Sequence, residues 1–308
     1  KGVGALLRLP ARMLGAMRQS RAILRRLQPA VVIGFGGYIT APAGLVAASL
    51  GIPLMLHEQN SVAGMANKWL SRFAKRVFTA YPNVLDASSH ANNATGSAGN
   101  AGSTGRACWV GNPLRTIFMQ QSAPEQRMAG RTGKLQLLVV GGSLGAKALN
   151  DTVPQALALL DEAQRPHVMH QSGAKQIDAL RQAYAQAGVV ATLLPFIDNT
   201  AEAFAQADLV VCRAGASTVT ELAAVGAAAV FVPFPHAVDD HQTANARYLV
   251  DADAAWLQPQ AQFTAQWLAE FLSGITREQL LEKAQKAKTM EKLHATEHIV
   301  AACEELIA

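Results

Sequence analysis

Cysteine is scarce in this sequence, with three in 308 residues (Cys108, Cys212, Cys303). Their wide, odd-numbered spacing excludes a disulfide framework and a cysteine metal site. It fits structural thiols in a reducing compartment. Aromatic residues are few, at 6%, which disfavours an all-β sandwich. Between Pro29 and Leu56 no formally charged residue occurs. Length alone would allow a membrane span there. However, Gly34, Gly36, Gly37, Pro42, Gly51 and Pro53 punctuate the stretch at turn-like spacing, so it reads as strand, glycine loop, short helix and strand. Acid is what the first part lacks most. Residues 1–85 carry eleven Lys/Arg against Glu58 alone, a charge of +10; with +5 over the whole chain, the rest is −5. A basic lobe predicts an anionic partner: a membrane surface, a nucleic acid or a phosphorylated substrate. Nucleic acid is disfavoured, because the aromatic stacking platforms are missing. The opening residues do not resemble a signal peptide.

Half of the chain is apolar, and Ala and Gly are abundant, enough for two α/β domains of ordinary size. Short β-rich runs occur at 30–33, 54–56, 76–80, 135–140, 167–171, 191–194, 209–212 and 229–232, with helical segments between them. This alternation predicts doubly wound parallel sheets, divided near 112–115. Residues 5–27 have helical spacing with a break expected at Pro10 and Gly15. Residues 60–73 read as mostly helical, and the tail 277–308 as helical throughout. Residues 86–106, rich in Ser, Asn, Gly and Ala, read as a flexible surface insertion.

The strongest chemical signal is strand, glycine loop and helix at Leu137 to Ala146. Gly141, Gly142 and Gly145 let backbone N–H groups approach a phosphate, and Ser143 adds a hydroxyl. The spacing departs from the dinucleotide fingerprint, so NAD is not indicated. A second loop, Arg213 to Glu221, follows the next such strand. Gly215 opens a turn, Ser217 and Thr218 offer donors to a diphosphate, and Glu221 falls one turn into a helix, where a carboxylate can accept both ribose hydroxyls. Thr218 and Glu221 also have capping-box spacing, the competing reading. A third cluster runs Pro233-Phe234-Pro235-His236 to Asp239-Asp240-His241-Gln242 and Asn245. Its two Asp and two His suggest a metal less than they suggest sugar-hydroxyl binding, so no metal is expected. In the basic half, Gly34 to Tyr38 and His57-Glu58-Gln59-Asn60 follow adjacent strands and would share one sheet edge.

Taken in order, these stretches resemble the MurG family of membrane-associated transferases, which move GlcNAc from UDP-GlcNAc onto undecaprenyl-linked muramyl pentapeptide. The resemblance rests on Gly36-Gly37-Tyr38 with Pro42; His57 to Asn60 with Gly64 and Asn67-Lys68; and Gly111 to Arg115. It continues through Gly141 to Ala146, His170-Gln171-Ser172-Gly173, Phe196-Ile197, Arg213 to Glu221 and Pro233 to Asn245. It implies a GT-B fold, with two Rossmann-like domains facing a cleft. Residues 1–112 would form the acceptor and membrane-side domain, 113–294 the UDP-GlcNAc domain, and 295–308 a helix returning to the first. Arg115 and Ser143 would contact the nucleotide and phosphate, and Ile197 would offer its backbone to uracil. Ala216, Ser217, Thr218, Val219 and Thr220 would line the diphosphate, and Glu221 would hold the ribose. His241 and Gln242 would read the GlcNAc hydroxyls, and Asn60 would reach in from the acceptor domain.

The family opens with a further segment carrying a first strand and a glycine-rich loop ending in His. This sequence starts downstream of it, which implies an incomplete first domain. The implied reaction is one inverting displacement: the muramyl 4-hydroxyl of lipid I attacks the anomeric carbon of UDP-GlcNAc to give lipid II for peptidoglycan. No cofactor is called for. Glu58 or His57 would assist removal of the hydroxyl proton, and helix N-termini with Arg115 would take the charge of the departing UDP. Arg8, Arg12, Arg18, Arg21, Arg25 and Arg26, interleaved with Leu, Ile and Met, would hold the protein peripherally on the anionic cytoplasmic face of the bacterial inner membrane. The rival readings are a UDP-GlcNAc 2-epimerase, which needs no lipid-facing lobe, and a non-catalytic nucleotide-sugar-binding fragment.

Overall fold

The computed structural model describes residues 9–85 and 107–308, so the expected insertion at 86–106 and the side chain of Arg8 lie outside the described residues. The chain forms two compact units: 1–113 with 294–308, and 114–293.

The first unit is a four-stranded parallel sheet in sequential order: β1 (Val32–Gly34), β2 (Leu54–Glu58), β3 (Arg76–Thr79) and β4 (Ala107–Trp109). β2 is buried along its whole length, as a central parallel strand covered on both faces must be. On one face, Leu54, Leu56, Leu70 and Val77 pack together. On the other, Met55, Phe78 and Val110 pack against Ala295, Ile299 and Ala302 of the last helix. The helices are α1 (Leu9–Leu27), α2 (Thr40–Ser49), α3 (Met65–Leu70) and, far along the chain, Ala295–Ile307.

Three local expectations are corrected here. α1 continues through Pro10 and Gly15 without a break. A lone internal Gly costs only about 1 kcal/mol, so Gly15 does not end the helix. Helix within 60–73 is confined to Met65–Leu70, because the Glu58 carboxylate accepts the backbone N–H groups of Asn60 and Gly64 and holds the intervening chain in a non-helical bend. The tail is two helices, interrupted at 290–294.

The second unit is a six-stranded parallel sheet built on β5 (Gln136–Val140), β6 (His167–Gln171), β7 (Thr192–Leu194), β8 (Leu209–Cys212), β9 (Ala229–Phe231) and the short β10 (Trp256–Leu257). Its order is β10-β9-β8-β5-β6-β7. The order reverses between β5 and β8, so crossovers from these neighbours leave in opposite directions and open a crevice at their carboxyl ends. Helices α4 (Thr116–Met119), α5 (Pro124–Met128), α6 (Lys147–Ala158), α7 (Ile177–Ala187), α8 (Thr200–Gln206), α9 (Ala216–Val225), α10 (His241–Val250), α11 (Ala265–Gly274) and α12 (Arg277–Thr289) cover the sheet, and α13 is Ala295–Ile307 of the first unit. Leu137, Val139, Val211, Val230, Leu149 and Val153 form the centre of its main core. Beneath the sheet, the side chain of Asp208 is fully buried. Its oxygens meet Arg131 at 2.8 Å and Arg277 at 3.2 Å and accept the N–H of Gln136 at 2.9 Å.

Candidate functional site

Every loop that leaves the carboxyl ends of β5 to β9 carries one of the stretches singled out from the sequence. The two at the reversal point are Gly141–Gly145 after β5 and Arg213–Gly215 after β8. The first is a tight loop whose close packing requires glycine. Gly142 and Gly145 have φ of +84° and +75°. A Cβ on Gly145 would lie 1.9 Å from the carbonyl oxygen of Ser172, inside any tolerable contact. Ser143 and Leu144 stand exposed at the apex, and α6 begins just beyond, with no side-chain cap.

The loop is held from β6. Gln171, only 3% exposed, accepts the N–H of Gly142 through Oε1 at 3.0 Å. Its Nε2 donates to the carbonyls of Gly142 at 3.1 Å and Pro195 at 3.0 Å. Beside it, His170 is fully buried between the Tyr184 hydroxyl (3.0 Å) and Asn150 Oδ1 (3.1 Å). Burial depresses its pKa to about 3, so the ring is neutral. Asn150 donates to Gln176 Oε1, whose Nε2 donates to the Leu144 carbonyl. A polar relay that starts at the buried His170 therefore reaches the loop.

After β8, Gly215 precedes α9 with no side-chain cap. Thr218 is thus the third helical residue, and the capping-box reading of Thr218 and Glu221 does not hold. Among residues 216–220, Ser217 is exposed and Thr218 half-buried, whereas the Val219 side chain is in the core and the Thr220 hydroxyl bonds back to the carbonyls of Ala216 and Ser217. An uncapped helix start presents N–H groups and a partial positive charge to an anion. Glu221 lies further along α9, half-buried. Burial raises its pKa to about 7, against the opposing pull of Arg115. Arg115 is exposed, donates to Thr200 Oγ1 at 3.0 Å and stacks over Phe118 at 5.0 Å. Ile197 is buried at 7% beside exposed Phe196.

After β9, Arg213 donates to the carbonyls of Val232 and Pro233 and to Gln260 Oε1, and its guanidinium lies 5.5 Å from the Phe234 ring centre. The buried Asn245 donates to the Ala214 carbonyl at 3.2 Å. Together they tie the β8 and β9 loops to the start of α10. There Gln242 accepts the Phe234 N–H at 2.9 Å and His241 donates to the Val238 carbonyl at 2.7 Å. The sequence pattern assigns Arg213 and Asn245 no role of their own; only the fold shows that they are ties. Among the described residues no group of three or more His, Cys, Asp or Glu is arranged to hold a metal ion.

In the first unit, Glu58 is 3% exposed and His57 wholly buried. The Glu58 carboxylate accepts from the N–H groups of Asn60 (3.1 Å) and Gly64 (3.1 Å) and from Asn67 Nδ2 (2.8 Å). His57 Nε2 donates to the Gly111 carbonyl at 2.9 Å, while Nδ1 accepts from Gln59 Nε2 at 3.1 Å. Burial lowers the His57 pKa, partly offset by Gly111 and Glu58. Asn60 is half-buried above this carboxylate. The Gly36 and Gly37 loop after β1, both glycines at positive φ, shares this edge, and Thr40 caps it by donating to the Gly36 carbonyl.

Comparison with known proteins places this geometry. Residues 1–79 match the glycosyltransferase family 28 N-terminal domain and residues 136–299 its C-terminal domain. A UDP-N-acetylglucosamine–N-acetylmuramyl-(pentapeptide) pyrophosphoryl-undecaprenol N-acetylglucosamine transferase of Acidovorax sp. is 62% identical over 99% of this chain and 72% of its own length. The same-named protein of Aromatoleum aromaticum is 53% identical over the whole chain and 81% of its own length. The crystal structure of Acinetobacter baumannii MurG superposes with a TM-score of 0.81 at 40% identity, covering 96% of this chain and 79% of that one. A UDP-GlcNAc 2-epimerase from Neisseria meningitidis superposes at 0.63 with 13% identity over 95% of this chain and 81% of that one, a likeness of fold alone. The chain belongs to glycosyltransferase family 28 and, within it, to the MurG family.

Proposed function

We propose that this protein transfers GlcNAc from UDP-GlcNAc to the muramyl 4-hydroxyl of an undecaprenyl-linked muramyl pentapeptide, converting lipid I to lipid II. The reading is carried by one observation above all: a helix start with no side-chain cap at the sheet's reversal point, with a half-buried carboxylate further along the same helix. That pairing suits a nucleoside diphosphate, whose phosphates need donors and whose ribose offers two hydroxyls. Glu221 holds the ribose, and the α9 start with Ser217 and Thr218 holds the diphosphate together with Ser143. The backbone of Ile197 meets uracil, Arg115 supplies positive charge, and Gln242 with His241 reads the GlcNAc hydroxyls.

The 4-hydroxyl oxygen attacks the anomeric carbon as the bond to UDP breaks, its proton passing to a base or to water, and the configuration inverts to a β-1,4 link. Negative charge then grows on the departing diphosphate. Helix-start N–H groups and Arg115 stabilise that charge more than they stabilise the bound donor, which is how they lower the barrier. Glu58 and His57 have their hydrogen-bonding capacity taken up within the first unit, and we assign them the shaping of the acceptor-side loop that carries Asn60.

Several features support peripheral attachment to the anionic cytoplasmic face of the inner membrane. Arg12, Arg18, Arg21, Arg25 and Arg26 are exposed on α1, and Lys68, Arg72, Lys75 and Arg76 are exposed nearby in sequence to Trp69 and Phe73, which pack edge to face at 5.8 Å. Among the described residues no helix is long and apolar enough to cross a membrane. Calorimetric titration tests the donor assignment, with UDP-GlcNAc against UDP-glucose and NADH. Saturable binding that prefers UDP-GlcNAc and weakens in Glu221→Ala is expected. A folded sample that ignores UDP-GlcNAc would refute the site.

A further inference from the structure

The stretch His170-Gln171-Ser172-Gly173 is distinctive in the sequence, yet none of its side chains has a part in the donor contacts above. Gln171 sits at the end of β6, between the glycine loop after β5 and the Pro195-Phe196-Ile197 loop after β7. Its side-chain amide has one acceptor oxygen and two N–H donors, and all three are used on backbone. Oε1 takes the Gly142 N–H, one donor serves the Gly142 carbonyl, and the other serves the Pro195 carbonyl. Gln171 itself is only 3% exposed, whereas Gly142 and Pro195 are exposed, so these bonds matter chiefly as the tie that joins the two loops.

We propose that Gln171 is a positioning residue that sets the spacing between the loop that receives the diphosphate and the loop that receives the uracil. This rests on the UDP-GlcNAc reading of that sheet edge. A nucleotide donor of fixed covalent length spans both loops, so its affinity depends on their separation as well as on each loop's own contacts. A ligand that engages only one loop does not feel the separation. Binding the two halves as one molecule gains from a fixed distance, as any pre-organised bivalent site does.

Gln171→Glu tests this with a side chain of the same size. The carboxylate still accepts the Gly142 N–H but cannot donate, so two carbonyls now face an anion. Gln171→Leu removes all three bonds and serves as the second variant, with near-ultraviolet circular dichroism and melting temperature read for each. Wild type and variants are titrated with UDP-GlcNAc, and uridine and inorganic pyrophosphate are measured as separate competitors. The expected result is a UDP-GlcNAc Kd raised tenfold or more, with uridine and pyrophosphate each changed less than threefold. Equal losses for uridine and UDP-GlcNAc would show ordinary damage to the base loop and overturn the proposal. So would a lowered melting temperature with unchanged UDP-GlcNAc affinity, which leaves Gln171 a purely structural tie. Wild type that binds neither UDP-GlcNAc nor its parts overturns the donor site itself, a result distinct from both.

Discussion

Donor affinity should rise with pH across neutrality, and the half-buried Glu221 makes the size of the effect calculable. Burial lifts its pKa to about 7, so the carboxyl is mostly neutral at pH 6 and mostly ionised at pH 8. Two ribose hydroxyls need an acceptor-only carboxylate, and a protonated carboxyl has turned one of its positions into a donor. If only the ionised form binds, the apparent Kd is the intrinsic value divided by the ionised fraction. That fraction is about 0.09 at pH 6 and about 0.9 at pH 8, so affinity should improve about tenfold, or about 1.4 kcal/mol. The sign follows from the raised pKa: binding is lost as pH falls through 7 and is fully present above 8. UDP-GlcNAc is the right probe, because the terminal phosphate of free UDP itself titrates, as a phosphate monoester does at about 6. Calorimetry at pH 6, 7 and 8, in buffers of different ionisation enthalpy, reads both the affinity and about half a proton released per donor bound at pH 7. Glu221→Gln should flatten both. A flat wild-type profile, or a glutamine variant with the wild-type slope, would refute the reasoning.

The same structure leads to four more outcomes. Arg115→Ala removes the positive charge that opposes the rise at Glu221, so the midpoint of the pH dependence should move above 7; an unmoved midpoint separates the two residues. Asp208→Ala leaves Arg131 and Arg277 without their buried counter-ion and should cost about 3–5 kcal/mol in urea unfolding; a loss below about 1 kcal/mol contradicts that. Gly145→Ala must relieve a collision with Ser172 and a left-handed φ, costing about 1–3 kcal/mol and weakening UDP-GlcNAc binding, whereas wild-type stability would deny the strain. Replacing Arg21, Arg25 and Arg26 together by Ala should weaken sedimentation with anionic vesicles roughly a hundredfold, at about 1 kcal/mol per charge; unchanged binding removes α1 from the membrane face.

The doubly wound second unit was legible from its sequence because its strands are short apolar runs fenced by glycine loops. Runs expected at 167–171 and 209–212 coincide with β6 and β8. β10, of two residues, is too short to carry a periodic signal. The bent, non-helical 60–64 segment was hidden for a different reason: Glu58 dictates it through hydrogen bonds to backbone N–H groups, which no local propensity encodes. At the candidate site, residue types and loop positions could be read in advance, because glycines and hydroxyls after strands have few other uses. The ties could not. Gln171, Arg213 and Asn245 act on carbonyls that lie 19 to 31 residues away along the chain, and only the sheet order brings them together.

The last helix has a consequence for how the protein is made. Met55, Phe78 and Val110 are covered by Ala295, Ile299 and Ala302, which leave the ribosome only after all of residues 114–293. At about 5–20 residues per second, that apolar face stays bare for on the order of ten seconds or more during synthesis. The continuous second unit has everything it needs to fold in the meantime. The nascent first unit is therefore the stage at which a chaperone has most to shield, and a nonsense codon shortly before Ala295 would yield a chain with a finished second unit and a sticky, unclosed first one.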